Sequence, residues 1–142
     1  MADWKLFSKV HKTLFNLSGG RLGASLAGLD MVIIDTLGRK SGQIRQAPAA
    51  CYPYKDSIVV VASNNGAEKD PVWWLNLKAS PIVNIHLGKT TLKVEAEELE
   101  GKERSRVWQQ IIQANPRQKN YAAMTERRLA VIYLKPYAGN KL

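Results

Sequence analysis

Cysteine is almost missing from this chain. Cys51 is the only one in 142 residues, so no internal disulfide can form. With no signal peptide to be read, a cytoplasmic location is the default expectation. Histidine is as sparse: His11 and His86 lie far apart, and neither stands at a metal-ligand spacing from Cys51. No metal site is expected. No apolar run is long enough to span a bilayer. A nucleophile elbow, a Walker loop and a dinucleotide-binding fingerprint are all absent. Acidic residues are few, 12 against 21 basic ones, which leaves a formal charge of +9. That imbalance points to an anionic partner: a nucleic acid, a membrane surface or an acidic small molecule. The basic residues form no long run, which argues for a pocket or a face rather than a nucleic-acid arm.

What is present fits one folded domain. The chain is 45% hydrophobic, enough to bury a core at this length. Its most informative stretch is Gly38-Arg39-Lys40-Ser41-Gly42-Gln43-Ile44-Arg45-Gln46-Ala47-Pro48. An apolar run precedes it and a second extended segment follows, so it reads as a turn between two strands. Gly38 and Gly42 suit the positive φ of such a turn. Arg39, Lys40, Arg45, the Ser41 hydroxyl and the turn's backbone N–H groups are donors of the kind that hold phosphate or carboxylate. A solvated hairpin tip is the bland alternative.

Along the chain, Trp4, Phe7, Val10, Leu14 and Leu17 recur at helical spacing, with Lys5, Lys9 and Lys12 on another face. This predicts an amphipathic helix over residues 1–20, docked on the body or resting on an anionic membrane. Residues 21–142 are read as a single domain. Strands are expected at Met31–Leu37, at Ile44 to about Tyr54, and at Ile58–Ala62. Pro48 and Pro53 should make the second strand an edge, bulged or broken in two. Asp70 is expected to cap a short helix that has Pro71 in its first turn. Trp73 and Trp74 on that helix point about 100° apart, so one can pack inward while the other meets a flat ring. Ile82–Leu87 and Thr90–Leu99 form a hairpin, and its Glu95, Glu97, Glu98 and Glu100 read as a solvated acidic edge. Two helices follow, at Lys102–Ala114 and from Pro116 with Asn115 as cap. The last strand is placed at Leu129–Leu134. About six antiparallel strands with flanking helices predict an α+β small barrel or strongly curled sheet, since closure removes free edges.

Three motifs then combine: Thr36-Leu37-Gly38-Arg39-Lys40-Ser41-Gly42-Gln43 with Arg45 and Pro48; Val61-Ala62-Ser63-Asn64-Asn65-Gly66-Ala67; and Pro71-Val72-Trp73-Trp74-Leu75-Asn76-Leu77. Together they closely resemble the deazaflavin-dependent nitroreductase family, over about Val32 to Pro136. The resemblance implies a split β-barrel that binds coenzyme F-420, an 8-hydroxy-5-deazaflavin with an acidic phospholactyl-oligoglutamate tail. Family members, mostly actinobacterial, reduce quinones, nitro compounds and activated enones such as furanocoumarins and aflatoxins. By resemblance, Arg39, Lys40 and Ser41 would hold the phosphate and the start of the tail. Arg45, Gln46, Ala47, Pro48, Ala49 and Ala50 would run beside the tail and ring. Val61, Ala62, Ser63 and Asn64 would meet the ring edge, and Val72, Trp73, Trp74, Leu75 and Asn76 would wall it. Two positions where the nitroreductase branch carries tyrosine are Asn115 and Gln118 here.

The expected activity is hydride transfer from the reduced deazaflavin to an electron-poor small molecule. Ser63, or a water that it holds, is the first candidate to supply the proton, and Tyr121 is the second. Three rival readings are an FMN-binding flavin reductase, a barrel for single-stranded nucleic acid, and a non-catalytic carrier of the deazaflavin. No nucleic-acid partner is expected, because the tryptophans fall on a helix rather than on an open sheet. Either a monomer or a homodimer is compatible with the sequence.

Overall fold

The computed structural model describes residues 31–137, and the expected helix over residues 1–20 lies outside them. Six strands form the body: β1 (Met31–Leu37), β2 (Ile44–Tyr54), β3 (Ser57–Val61), β4 (Ile82–Leu87), β5 (Thr90–Glu98) and β6 (Val131–Pro136). They close into a barrel in the order β1-β2-β3-β6-β5-β4, with every pair antiparallel. The closing contact pairs Ile33 with His86 and Ile34 with Ile85. Among the described residues, three α-helices accompany the barrel: α1 (Val72–Ala79), α2 (Gly101–Ala114) and α3 (Arg117–Ala123).

Side-chain alternation builds two cores. Ile34, Ile58, Val60, Ile85, Val94, Ile132 and Leu134 point into the barrel, where Trp74 and Leu77 of α1 join them. Val59, Val61, Val131 and Tyr133 point outward and are covered by Val107 and Ile111 of α2. These two residues sit four apart and so share one face of the helix. Strand β3 is therefore buried along its whole length, as its continuous β-branched run predicts.

Three expectations need correction. Strand β2 is one continuous strand inside the closed barrel, neither an outer edge nor broken. Its residues Ile44–Ala50 pair with β1, and Cys51–Tyr54 pair with β3. Each proline thus lies where the strand has one laddered neighbour, and its missing N–H can face away from that ladder. The last strand begins two residues later than expected, at Val131. Asp70 does not cap α1. The cap position is Pro71, without a side-chain hydrogen bond, and the Asp70 carboxylate instead pairs with Arg127 at 3.1 Å.

Candidate active site

The β1–β2 turn is built as a rigid platform. Gly38 N–H donates to the Gln43 carbonyl at 2.8 Å, and Gly42 N–H to the Gly38 carbonyl at 2.9 Å. Gly42 takes φ +70°, where glycine carries no penalty. A Cβ on Gly38 would lie 2.5 Å from Ser41 Oγ. That hydroxyl is turned inward to accept from the Gln43 N–H at 3.2 Å. Arg39 ties the turn to α1, since both its N–H and its Nε donate to Asn76 Oδ1, at 3.3 and 3.0 Å. Asn76 is buried for this purpose. The side chains of Lys40 and Arg45 are exposed and make no ion pair among the described residues.

A cleft of about 710 Å³ opens above this platform. Arg39, Lys40, Ser41, Arg45, Gln46 and Ala47 line it, with Val72, Trp73 and Asn76 from α1 and Asn64 from the loop after β3. A second chamber of about 400 Å³ adjoins it, sharing Asn64, Pro71 and Trp73 as walls. Pro48, Ala49, Ala50, Val61, Ser63 and Tyr121 line this smaller chamber. Of the site residues expected from sequence, only Ala62, Trp74 and Leu75 line neither space. Ala62 and Trp74 are buried among the barrel side chains. Of the two tryptophans, Trp73 is the one that faces the cleft, and Ser63 and Tyr121, the two candidate proton sources, share the smaller chamber.

The loop between β3 and α1 is held by a residue the sequence reading missed. Arg127 is 15% exposed in its side chain. It donates to the carbonyls of Ala62 (3.1 Å), Ser63 (2.9 Å) and Ala67 (2.9 Å), and to Asp70 Oδ1 (3.1 Å). Asn64 and Asn65 take positive φ within this loop, a conformation asparagine tolerates better than most residues. Gly66 packs against α3, where a Cβ would meet Met124 at 2.9 Å. Lys69 and Pro71 also line the larger cleft, and Met31, Asn65, Asn115, Arg117 and Gln118 line the smaller one. Of these, Asn115 and Gln118 are the two positions where the resembled nitroreductase branch carries tyrosine, and none of the others was expected as a binding residue. Spacing alone gives no signal for a chamber assembled from β2, a loop and α3.

On the barrel's outer face, Asp35 Oδ2 meets His86 Nε2 at 2.8 Å, and Gln46 Nε2 donates to Asp35 Oδ1 at 3.0 Å. Partial burial pushes the Asp35 carboxyl up, but the hydrogen bonds from His86 and Gln46 outweigh it and hold the group below its ordinary value. Gln46 is thereby fixed with its amide nitrogen engaged at the rim of the larger cleft. No cluster of metal-ligating side chains occurs among the described residues. No helix among them is long and apolar enough to cross a membrane.

The chain matches the family model for F-420H2-dependent quinone reductases over residues 7–136. It is 29% identical over 130 residues to an F-420H2-dependent quinone reductase of Mycobacterium tuberculosis, covering 89% of this chain and 87% of that protein. Among solved structures it is similar to an F-420H2-dependent reductase (FDR-A), at 35% identity and TM-score 0.66, over 72% of this chain and 91% of the other. A second, described as a domain-swapped dimer, is 32% identical with TM-score 0.67, over 85% of this chain and 92% of the other. The heme storage protein HutZ from Vibrio cholerae, 14% identical with TM-score 0.63 over 82% of this chain and 87% of the other, shares the fold alone. Because that family model matches nearly the whole chain, which also folds as the six-strand barrel shared with these relatives, the chain belongs to the F-420H2-dependent quinone reductase family.

Proposed function

We propose that the larger cleft holds coenzyme F-420 and that the smaller chamber receives the acceptor beside it. As a member of its family, the protein is an oxidoreductase that depends on F-420H2, and quinone-type acceptors fit its chemistry. One arrangement supports the assignment of residues. Lys40 and Arg45, with no ion pair among the described residues, line the same cleft as Trp73. A phosphate with carboxylates behind it suits these cations, and a flat aromatic ring suits the indole. Contacts of Arg39, Lys40 and Ser41 with a phosphate would be worth about 1.5–3 kcal/mol each. Contacts with solvated glutamates of the tail would be worth about 0–1 kcal/mol each.

When bound, the reduced cofactor supplies a hydride, and a quinone that takes it needs one further proton to become the hydroquinone. Trp73 and Pro71 fix the shared wall, so the two ligands would meet at a set distance. Ser63 and Tyr121 hold hydroxyl groups at the acceptor's side. A serine hydroxyl is a weak acid, so Ser63 would act as a hydrogen-bond donor to developing oxyanion charge, or hold the water that delivers the proton. Nitro compounds and activated enones are further acceptors for the same hydride. The amino-terminal segment as a helix resting on an anionic membrane is likewise a proposal, tested by vesicle co-sedimentation after deletion of residues 1–20.

The deciding experiment is a fluorescence titration with coenzyme F-420, with FMN in a parallel cell. Tight binding of the deazaflavin and weak binding of FMN are expected. The reverse order would move the cleft to flavin. Ser63→Ala should then lower kcat while leaving cofactor affinity near wild type; full turnover in that variant would remove Ser63 from the proton path.

A further inference from the structure

The smaller chamber contains two polar groups that hydride transfer does not use. Gln118 is 2% exposed, and its Oε1 is buried with no hydrogen-bond partner. Its Nε2 donates to the Tyr52 hydroxyl at 3.0 Å, as does Asn115 Nδ2 at 3.0 Å. The amide is thus held by its nitrogen, and its carbonyl oxygen is left over. A buried acceptor without a donor is costly, and a ligand that brings the donor relieves it. Arg117 lines the same chamber. It is exposed, makes no ion pair among the described residues, and no Asp or Glu lines the chamber with it. Of the chamber's lining side chains, Arg117 alone carries charge.

Building on the two-chamber reading above, we propose that the smaller chamber selects quinones bearing an ionised oxygen substituent. Arg117 holds that anion, and the Gln118 carbonyl receives a hydroxyl hydrogen that reduction creates. One hydride and one proton convert one quinone to one hydroquinone, whose two ring oxygens end as hydroxyl groups. A quinone has no O–H of its own, so the Gln118 contact exists only on the reduced side. An interaction of that kind favours the reacting and product-like states over bound substrate. The Arg117 contact exists throughout and sets which acceptors enter.

The test compares 1,4-naphthoquinone-2-sulfonate with 2-methyl-1,4-naphthoquinone, reduced by F-420H2 in wild type, Arg117→Gln and Arg117→Lys. The ratio of kcat/KM values, sulfonate over methyl, should fall roughly three- to tenfold in Arg117→Gln, the range for an accessible charge-assisted contact. Arg117→Lys should restore most of it. In parallel, calorimetry on protein loaded with oxidised F-420 should show the same loss in affinity for the sulfonated quinone in Arg117→Gln. The loaded cofactor keeps the cations of the larger cleft out of reach. Gln118→Met should weaken the hydroquinone more than the quinone; if that variant does not fold, the Arg117 comparison decides. An unchanged ratio and an unchanged Kd overturn the proposal. If wild type reduces neither quinone, the quinone-reductase reading fails, while calorimetry still decides whether the subsite exists.

Discussion

Arg127 Nη2 donates to the backbone carbonyl of Ser63 at 2.9 Å, across 64 residues of sequence. The same guanidinium takes the carbonyls of Ala62 and Ala67 and the Asp70 carboxylate. One side chain therefore sets the path of the loop that carries Ser63 into the smaller chamber and Asn64 into both. Arg127→Ala leaves three carbonyls and a carboxylate without their donor. We expect a loss of about 2–4 kcal/mol in urea unfolding. A rise in KM for acceptor should accompany it even in the folded fraction, since Ser63 loses its tether. Arg127→Lys should recover little, because one ammonium cannot span the fork of contacts.

Arg39 and Lys40 differ in their commitments. Arg39 is tied to Asn76, while Lys40 is free among the described residues. Replacing both with Ala should weaken tailed coenzyme F-420 by roughly ten- to a hundredfold. The tail-less chromophore should lose no more than a few fold. Equal losses for the two ligands would contradict the assignment of an anion site to the turn.

Trp73 and Trp74 should separate binding from stability. Trp74 is 4% exposed in the barrel core, with Lys78 Nζ 5.4 Å from its ring. Trp74→Ala should cost about 3–5 kcal/mol in chemical unfolding. Trp73 is half-buried against the same core and lines both chambers. Trp73→Ala should cost less stability and show its main effect as a higher Kd for the cofactor.

Acid should weaken the contact between α2 and the barrel. Hydrogen bonds from Arg106 and from the Tyr54 hydroxyl lower Glu103 from 4.5 to about 2, overcoming its burial. A carboxyl whose folded pKa is depressed adds stability that is complete above its unfolded value and fades as pH falls through the folded one. Wild-type Tm should therefore decline more steeply between about pH 5 and pH 2 than that of Glu103→Gln. The side chain is 39% exposed, so the difference should be a few degrees at most. Parallel pH profiles for the two proteins would show that Glu103 contributes nothing.

Much of the barrel was legible because its strands obey simple periodicities. Met31–Leu37 and Ile82–Leu87 are bounded by turns rich in glycine, polar residues or proline, and they appear with the expected ends. The start of β6 was not legible. Leu129 and Ala130 are as apolar and buried as strand residues, yet they stand outside the ladder. Their carbonyls instead accept from Arg104 and from the Ala62 N–H. The basic turn and the aromatic of the cleft were visible from residue type. The 100° offset of adjacent tryptophans said that one would face inward, but which one depends on how α1 enters the barrel. Arg127 was illegible for a deeper reason. Three of its four partners are backbone carbonyls, which every residue possesses, so no sequence motif can mark them. Gln118 was visible only through the resemblance, as a position where the nitroreductase branch carries tyrosine, and Arg117 stayed hidden because its chamber exists only once α3 is laid against the loop after β3.

The shared position of Trp73 has an optical consequence. Among the tryptophans of the described residues, Trp74 is enclosed in the barrel and Trp108 lies against Arg104, 5.5 Å from its guanidinium carbon. Trp73 alone borders both spaces. Its emission should respond to either ligand, so a single-tryptophan protein retaining Trp73 would act as a built-in two-channel indicator. Sequential quenching by cofactor and then acceptor would let the order of loading be timed in a stopped-flow instrument without any added dye.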